Sequence, residues 1–378
     1  MTEARTSVGT VDDLHAAATR AVGLDDFGEP DYLEGLEVLL TSYRDDAGLT
    51  ELGSKMFRYF LKGALIARLL SEAGWKSNPS YVDVEVERPV FVTGLPRTGT
   101  TALHRLLAAD PAHQGLQMWL AEFPQPRPPR DTWTDNPVFA QIEAGLNRHH
   151  VENPEFMGLH YMSAGEVEEC WQLLRQSLMS ISYESLAYLP TYSQWLQARD
   201  WGPAYHRHRR NLQLIGLNDP GKRWVLKNPS HLFALDALME AYPDAVVVQT
   251  HRAPETIIPS MCSLAEHATE GHSSVFTGAT IGRTQLELWS RGLREFSAAR
   301  AKYDPAQFVD VHFDELRADP FAAVGRVYDA LGTPMSDEAG AAMVALDEES
   351  KSGDRKPVHK YSLEDYGLTV EQVREAFA

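Results

Sequence analysis

Apolar residues recur at helical spacing through Tyr32–Tyr43 and again through Leu52–Leu70, which predicts helices across residues 1–80. The texture changes at Arg88. Val90-Phe91-Val92-Thr93-Gly94 is a short apolar run ending in a glycine loop, and a helical pattern follows from Thr101 to Ala109 until Asp110-Pro111 stops it. Three later runs resemble that first strand: Trp224–Lys227, Ala245–Thr250 and Phe308–His312. The middle one is apolar in sequence rather than alternating, as expected of a strand covered on both faces. Helical patterns separate these runs, at Leu232–Tyr242, Pro254–Glu270, Arg283–Tyr303 and Pro320–Leu331. The alternation predicts an α/β fold in three layers, with a mostly parallel central sheet. Between Gln114 and Pro220 no clear strand is legible, and that stretch, rich in Pro, Trp and Tyr, reads as a helical and looped cap. The organisation expected is an N-terminal helical extension, 1–80, and an α/β domain, 81–378, with the cap at about 114–220.

The chain has 378 residues, 43% hydrophobic and 23% charged, enough to bury a large core and unlike a disordered chain. Lys and Arg number 35 against 53 Asp and Glu, a net charge of −18 that repels a phosphate backbone and excludes nucleic acid as the expected partner. Two cysteines, Cys170 and Cys262, cannot build a disulfide framework or a four-thiolate metal site, which predicts a reducing compartment. Met1-Thr2-Glu3-Ala4-Arg5 runs into Asp12 and Asp13 before any apolar stretch, so no signal peptide is expected. The richest apolar run, Tyr59–Leu70, is interrupted by Lys62 and Arg68 and is too short to span a bilayer, and a cytoplasmic location is expected.

Chemistry enters at Gly94-Leu95-Pro96-Arg97-Thr98-Gly99-Thr100-Thr101. The glycine spacing is that of the nucleotide loop GxxxxGK[ST], in which backbone N–H groups and a helix N-terminus surround a phosphate. The lysine is replaced by Thr100, which weighs against a triphosphate, and Arg97, Thr98, Thr100 and Thr101 stand as additional donors. A second phosphate-binding pattern follows the strand Ala245–Thr250: Arg252, then Ser260 eight residues later. Arginine offers a two-pronged fork to a phosphate dianion and a serine on the next helix adds a hydroxyl. The plain alternative is a structural ion pair at Arg252.

Val90–Asp110 resembles the 5′-phosphosulfate loop of sulfotransferases that use 3′-phosphoadenosine 5′-phosphosulfate (PAPS), in the arginine-bearing form of bacterial and Golgi members. Arg252 with Ser260 is similar to the family's 3′-phosphate motif, and Val311–Pro320 looks like its late strand-to-helix segment. The resemblance covers roughly Arg88–Leu331 and implies a P-loop-like phosphate loop that holds PAPS, and the product adenosine 3′,5′-bisphosphate, through Pro96, Arg97, Thr98, Gly99, Thr100, Thr101, Arg252 and Ser260, with no metal. Phe313 stands where many members place a tyrosine near adenine, and Ala102 replaces the family's tryptophan after the loop. The basic tail Lys351–Lys360 is expected either to close over the 3′-phosphate or to be a solvated surface segment.

The resemblance also implies sulfuryl transfer from PAPS to a hydroxyl, with developing charge met by Arg97, the loop amides and Lys227. For the base, the order of preference is Glu169, Glu122, then His231. Gly165–Trp171 reads as the opening of a cap helix whose inward face carries Glu169 beside Leu173, and half-buried carboxyls make suitable bases. His231 is separated from Lys227 by Asn228-Pro229-Ser230, unlike the cytosolic members, and capping the helix after Ser230 is its plain alternative. Trp119, Phe123, Phe156, Tyr161, Trp171, Tyr188, Tyr192 and Trp195 crowd the cap, so the acceptor is expected to be small and largely apolar around its hydroxyl: a phenol, sterol, lipid or polyketide alcohol. An assembly of identical copies is compatible with the sequence. The rival readings are a P-loop kinase using ATP and a non-catalytic nucleotide-binding relative.

Overall fold

A computed structural model describes residues 7–152, 162–352 and 361–378, with side chains at 350–352 excepted. Three helices lead the chain: α1 Val11–Val22, α2 Leu33–Asp45 and α3 Glu51–Ser77. Thr10 caps α1 reciprocally with Asp13, and Thr50 caps α3 through Gly53 N, so each start has a polar side chain on an otherwise orphaned amide. The long α3 buries Phe57, Leu61, Ala64, Leu65, Arg68 and Leu69 along one stripe. Arg68, which interrupts the apolar run in sequence, is fully buried. Its guanidinium donates to the carbonyls of Phe27, Glu29 and Gln176 and to Asp31, and lies over the Tyr32 ring. One buried charge thus ties α1–α3 to the cap, and both share a single hydrophobic cluster with one face of the sheet.

The rest follows in the order β1 Val90–Gly94, α4 Thr100–Ala108, β2 His113–Gln114, α5 Met118–Glu122, α6 Pro137–Glu152, α7 Trp171–Leu174, α8 Ile181–Glu184, α9 Pro190–Gln197, α10 Gly202–Ile215 and β3 Arg223–Lys227. Then come α11 Leu235–Ala241, β4 Val246–His251, α12 Pro254–Ala268, α13 Gly278–Arg300, β5 Phe308–His312, α14 Phe313–Ala318, α15 Pro320–Leu331, α16 Asp337–Ser352 and α17 Val370–Ala376. The strands form one parallel sheet in the order β2-β3-β1-β4-β5. Val90, Val92, Val225, Val246, Val248, Val309 and Val311 face α4 and α15. Phe91, Trp224, Leu226, Val247 and Phe308 join the larger cluster on the other side. This two-sided burial is the three-layer arrangement the apolar runs predict. No described helix is long and apolar enough to cross a membrane.

Two local expectations are corrected. The edge strand β2, only two residues long, escapes pattern reading. Gly165–Trp171 does not open a helix: Val167 forms an antiparallel bridge with Gln117, Glu168 N donates to Leu116 O at 2.7 Å, and α7 begins only at Trp171. The Glu168 amide and the Glu166 carbonyl, which a helix would use internally, are spent on Leu116 O and Met118 N, and the Cys170 amide on Lys227 O.

Candidate active site

The site is built where β1, β3, β4 and β5 end, along the carboxyl edge of the sheet. The chain leaves β1 through Gly94 at φ 139° and turns through Arg97 at φ 67° and Gly99 at φ 91°. A Cβ on Gly94 would lie 2.6 Å from the Thr250 carbonyl, so only glycine lets the loop pass this close to β4. Arg97 holds a left-handed conformation that costs a non-glycine residue free energy, and strain of this kind collects at ligand cradles. Gly99 caps α4 without a side-chain bond, so no side chain blocks the first-turn amides, and Thr101 at the helix start is exposed. Such a turn, with the positive end of the helix dipole behind it, is an anion nest.

Thr98 departs from its expected role. Its hydroxyl is fully buried, donating to Leu95 O at 2.5 Å and pairing with Thr250 Oγ1 at 2.5 Å, so it fixes the loop's shape from behind. Thr250 was not legible as a site residue, although it immediately precedes the His251-Arg252 pair. Thr100 is buried, while Pro96 and Arg97 are half-buried on the loop's crest.

From the end of β4, Arg252 reaches back to the loop. Its Nη1 donates to the carbonyl of Arg97 at 3.0 Å, and its guanidinium stacks 4.1 Å from the Phe313 ring. Phe313 in turn packs close to Gly99, where an added Cβ would approach its ring to 3.3 Å. A cavity of about 510 Å³ opens here, lined by His251, Arg252, Ala253, Thr256, His312, Phe313 and Asp314. Its two histidines, whose rings are 5.1 Å apart, were missed by sequence reasoning; they are simply the last residues of the neighbouring strands β4 and β5. His251 Nε2 bonds Asp310 Oδ1 at 2.7 Å, and Arg300 grips the same carboxylate, lowering it to about 2 against the opposing effect of burial. Ser260 is buried on α12, on the same element that Arg252 leads into.

On the other flank, Lys227 ends β3 with its side chain almost enclosed. Its Nζ is 3.4 Å from Thr101 Oγ1 and in close contact with Glu169 Oε1. Cys170 N donates to Lys227 O at 3.0 Å, which anchors the 165–170 segment to the strand end. Glu169 therefore reaches the loop, though by way of this backbone anchor and not a helix face. Glu168 is buried, its Oε1 accepting from Glu169 N at 2.9 Å. Glu122, half-buried at the end of α5, has its carboxyl pushed up by burial and by Glu168, against the pull of Arg175.

His231 belongs elsewhere. It is fully buried, its Nδ1 2.6 Å from the Tyr205 hydroxyl and its ring edge-on to Phe91 at 5.0 Å, in the core behind β1. The short helical turn Pro229–Phe233 carries it inward, and burial depresses its proton affinity. Of the cap rings, Trp119 and Tyr192 are fully buried and Trp171, Phe123, Tyr188 and Trp195 half-buried; Phe156, Tyr161 and the tail at 353–360 fall outside the described residues.

The residues of this site lie within the span 89–337 that matches the model of the sulfotransferase family. The chain belongs to the sulfotransferase family. The crystal structure of sulfotransferase STF1 from Mycobacterium tuberculosis H37Rv superposes with a TM-score of 0.93 at 63% identity, covering 99% of this chain and 100% of that one. Sulfotransferase STF9 from Mycobacterium avium gives 0.88 at 26% identity, over 100% and 96% of the two chains. The omega-hydroxy-beta-dihydromenaquinone-9 sulfotransferase Stf3 of Mycobacterium tuberculosis and of Mycobacterium bovis is 24% identical over 283 residues. That match takes in 66% of this chain, and the chain spans 64% of the length of those curated relatives.

Proposed function

We propose that the protein transfers a sulfuryl group from PAPS to a hydroxyl of a small, largely apolar acceptor. One observation carries the reading: Arg252, from the 3′-phosphate motif, bonds the crest of the phosphate loop at Arg97, so both anion-binding elements fall within reach of one nucleotide. The Stf3 relatives are named for a hydroxylated, lipid-soluble acceptor, which agrees with the aromatic cap. The buried, free Cys170 and Cys262 suit a reducing cytoplasm.

The residues present fit the donor. The loop amides and Arg97 receive the 5′-phosphosulfate, while Arg252 and Ser260 receive the 3′-phosphate, local cations answering a substrate that the overall charge of −18 would repel. Phe313 and the His251/His312 edge form the wall for the base. In PAPS the phosphosulfate linkage is the one that breaks, and the leaving bisphosphate gains the charge. Lys227, beside Thr101, supplies a preorganised cation where that charge develops. Glu169 removes the acceptor's proton. At rest one oxygen of its carboxylate is held by Lys227, which leaves the second oxygen to take the proton. Glu122, desolvated at the end of α5, stands second. Core burial leaves no such role for His231.

Calorimetry with adenosine 3′,5′-bisphosphate, set against ATP with Mg²⁺, tests the donor assignment. Tight binding of the bisphosphate alone is expected, and binding of ATP with Mg²⁺ alone would move the protein to the kinases. Transfer of ³⁵S from labelled PAPS to a library of phenols and alcohols separates an enzyme from a non-catalytic binder.

A further inference from the structure

Strands β4 and β5 end side by side, each on a histidine. His251 and His312 are register partners whose rings lie 5.1 Å apart at 31°, and both line the cavity that Arg252 lines. Neither ring is buried: His312 is exposed and the side chain of His251 is 32% accessible, so both are open to what enters the cavity. A wall for a nucleotide base needs no charge, and the polar apparatus behind His251 exceeds that need.

His251 Nε2 is 2.7 Å from Asp310 Oδ1, and Arg300 bonds both oxygens of that carboxylate at 2.7 Å while donating to Gln249 Oε1 at 2.7 Å. With its carboxyl held down at about 2, Asp310 only accepts in neutral solution. Nε2 of His251 therefore carries its proton there, and Nδ1 is the atom that gains or loses one. Asp310 and the cavity-lining Asp314 favour a charged ring, whereas Arg252, next in the chain, and Arg300, behind Asp310, oppose it. Beside His312, Glu315 accepts from the histidine's own amide and is paired with Arg326; on α12, Glu255 is taken by Arg374 and Thr256 adds no charge. Two imidazolium rings at 5.1 Å repel each other and the Arg252 guanidinium, and a phosphate dianion among them relieves that repulsion.

We propose that His251 and His312 form a proton-controlled grip on the nucleotide's far phosphate, so that donor and bisphosphate product bind with uptake of protons and more tightly in mildly acid solution. This rests on the reading of the cavity as part of the donor site. The phosphate assigned to Arg252 shares the cavity with both rings and favours their charged forms. Since the bound state then holds more protons than the free state, affinity rises as pH falls through the range in which histidine ordinarily titrates.

The test is calorimetry with adenosine 3′,5′-bisphosphate and with 5′-AMP at pH 8 and pH 6.5, where a phosphate monoester is still mostly dianionic. The bisphosphate is expected to bind about tenfold more tightly at pH 6.5, as a shift of about one pH unit in ring titration implies, and AMP to change by less than about twofold. Titrations at pH 7 in two buffers of different ionisation enthalpy should show net proton uptake with the bisphosphate. The double variant His251→Gln/His312→Gln should bind the bisphosphate within about threefold of wild type at pH 8, which also shows that it is folded, and should lose both the tightening and the proton uptake; His312→Gln alone, at an exposed position, should lose part of each. A wild-type affinity indifferent to pH, a tightening that persists in the double variant, or an equal tightening with AMP would each overturn the proposal. Binding indifferent to pH leaves the donor assignment standing, whereas absence of bisphosphate binding at both pH values removes the donor assignment and this grip with it.

Discussion

Arg252 and Arg97 are joined by a 3.0 Å hydrogen bond from the guanidinium Nη1 to the backbone carbonyl, so the arginine of the later strand holds the crest of the loop that follows the first. The same guanidinium covers Phe313. One exposed side chain therefore shapes the loop and closes the cavity wall, and on the proposed function it also meets the anion.

Arg252→Ala is expected to weaken adenosine 3′,5′-bisphosphate binding about 10- to 100-fold, as the loss of charge-assisted hydrogen bonds implies. Because Arg252 is exposed, the stability change should stay within about 0.5 kcal/mol. Calorimetry and urea unfolding read the two quantities separately. Arg252→Lys should recover little, since an ammonium cannot span the carbonyl and a phosphate as a planar fork does.

Thr98→Val gives the reverse pattern. Its hydroxyl is buried against Leu95 O and Thr250 Oγ1, so its loss should cost about 1–3 kcal/mol of stability. Bisphosphate affinity should fall less than in Arg252→Ala. A variant of full stability with binding as poor as that of Arg252→Ala would show instead that Thr98 contacts the ligand.

Glu169→Gln should bind the bisphosphate normally and lose turnover by roughly 10²-fold or more, the scale of a general base. Lys227→Ala should lower turnover as well. The double variant should fall short of the product of the two losses, because the side chains are in contact. Strictly multiplicative losses in single-turnover rates would separate their roles.

Three enclosed histidines set the acid limit. Burial lowers His104 and His208 to about 3 and pushes His231 well below its ordinary value. The unfolded chain then binds protons that the fold refuses, so the stabilising contribution is whole above about pH 6.5 and is lost as pH falls toward 3. At pH 5 the cost is about 2 kcal/mol for each of His104 and His208. Urea midpoints at pH 7.5 and pH 5 should show this fall, and His208→Gln should flatten it. His231→Phe, which leaves the Tyr205 hydroxyl unpaired, should lower the midpoint while leaving the kcat of the folded fraction intact.

Strand identity was legible because each inner strand is apolar on both faces, and the loop because glycine spacing reports backbone conformation directly. The segment before Trp171 was not. Its acidic, helix-compatible residues pair with the 116–118 segment, Glu168 N donating to Leu116 O and Glu166 O accepting from Met118 N, a pairing set by tertiary contact that no local periodicity records. Glu169 meets Lys227 from a loop and not from the helix face that the periodicity suggested. His231, ranked third on resemblance alone, lies in the core because the tight turn Pro229–Phe233 points it inward, a direction the sequence does not record. Thr98 shows the complement, a residue of the right type whose hydroxyl faces the protein.

The strand order β2-β3-β1-β4-β5 places Lys227 and Arg252 on opposite neighbours of β1. On the proposed assignment, the nucleotide's far phosphate is gripped from the β4–β5 half, and the incoming alcohol is met from the β3 half and the cap. On that assignment, the choice of acceptor can be rewritten by editing the cap at about 114–220 alone, while the half that holds the donor stays as it is.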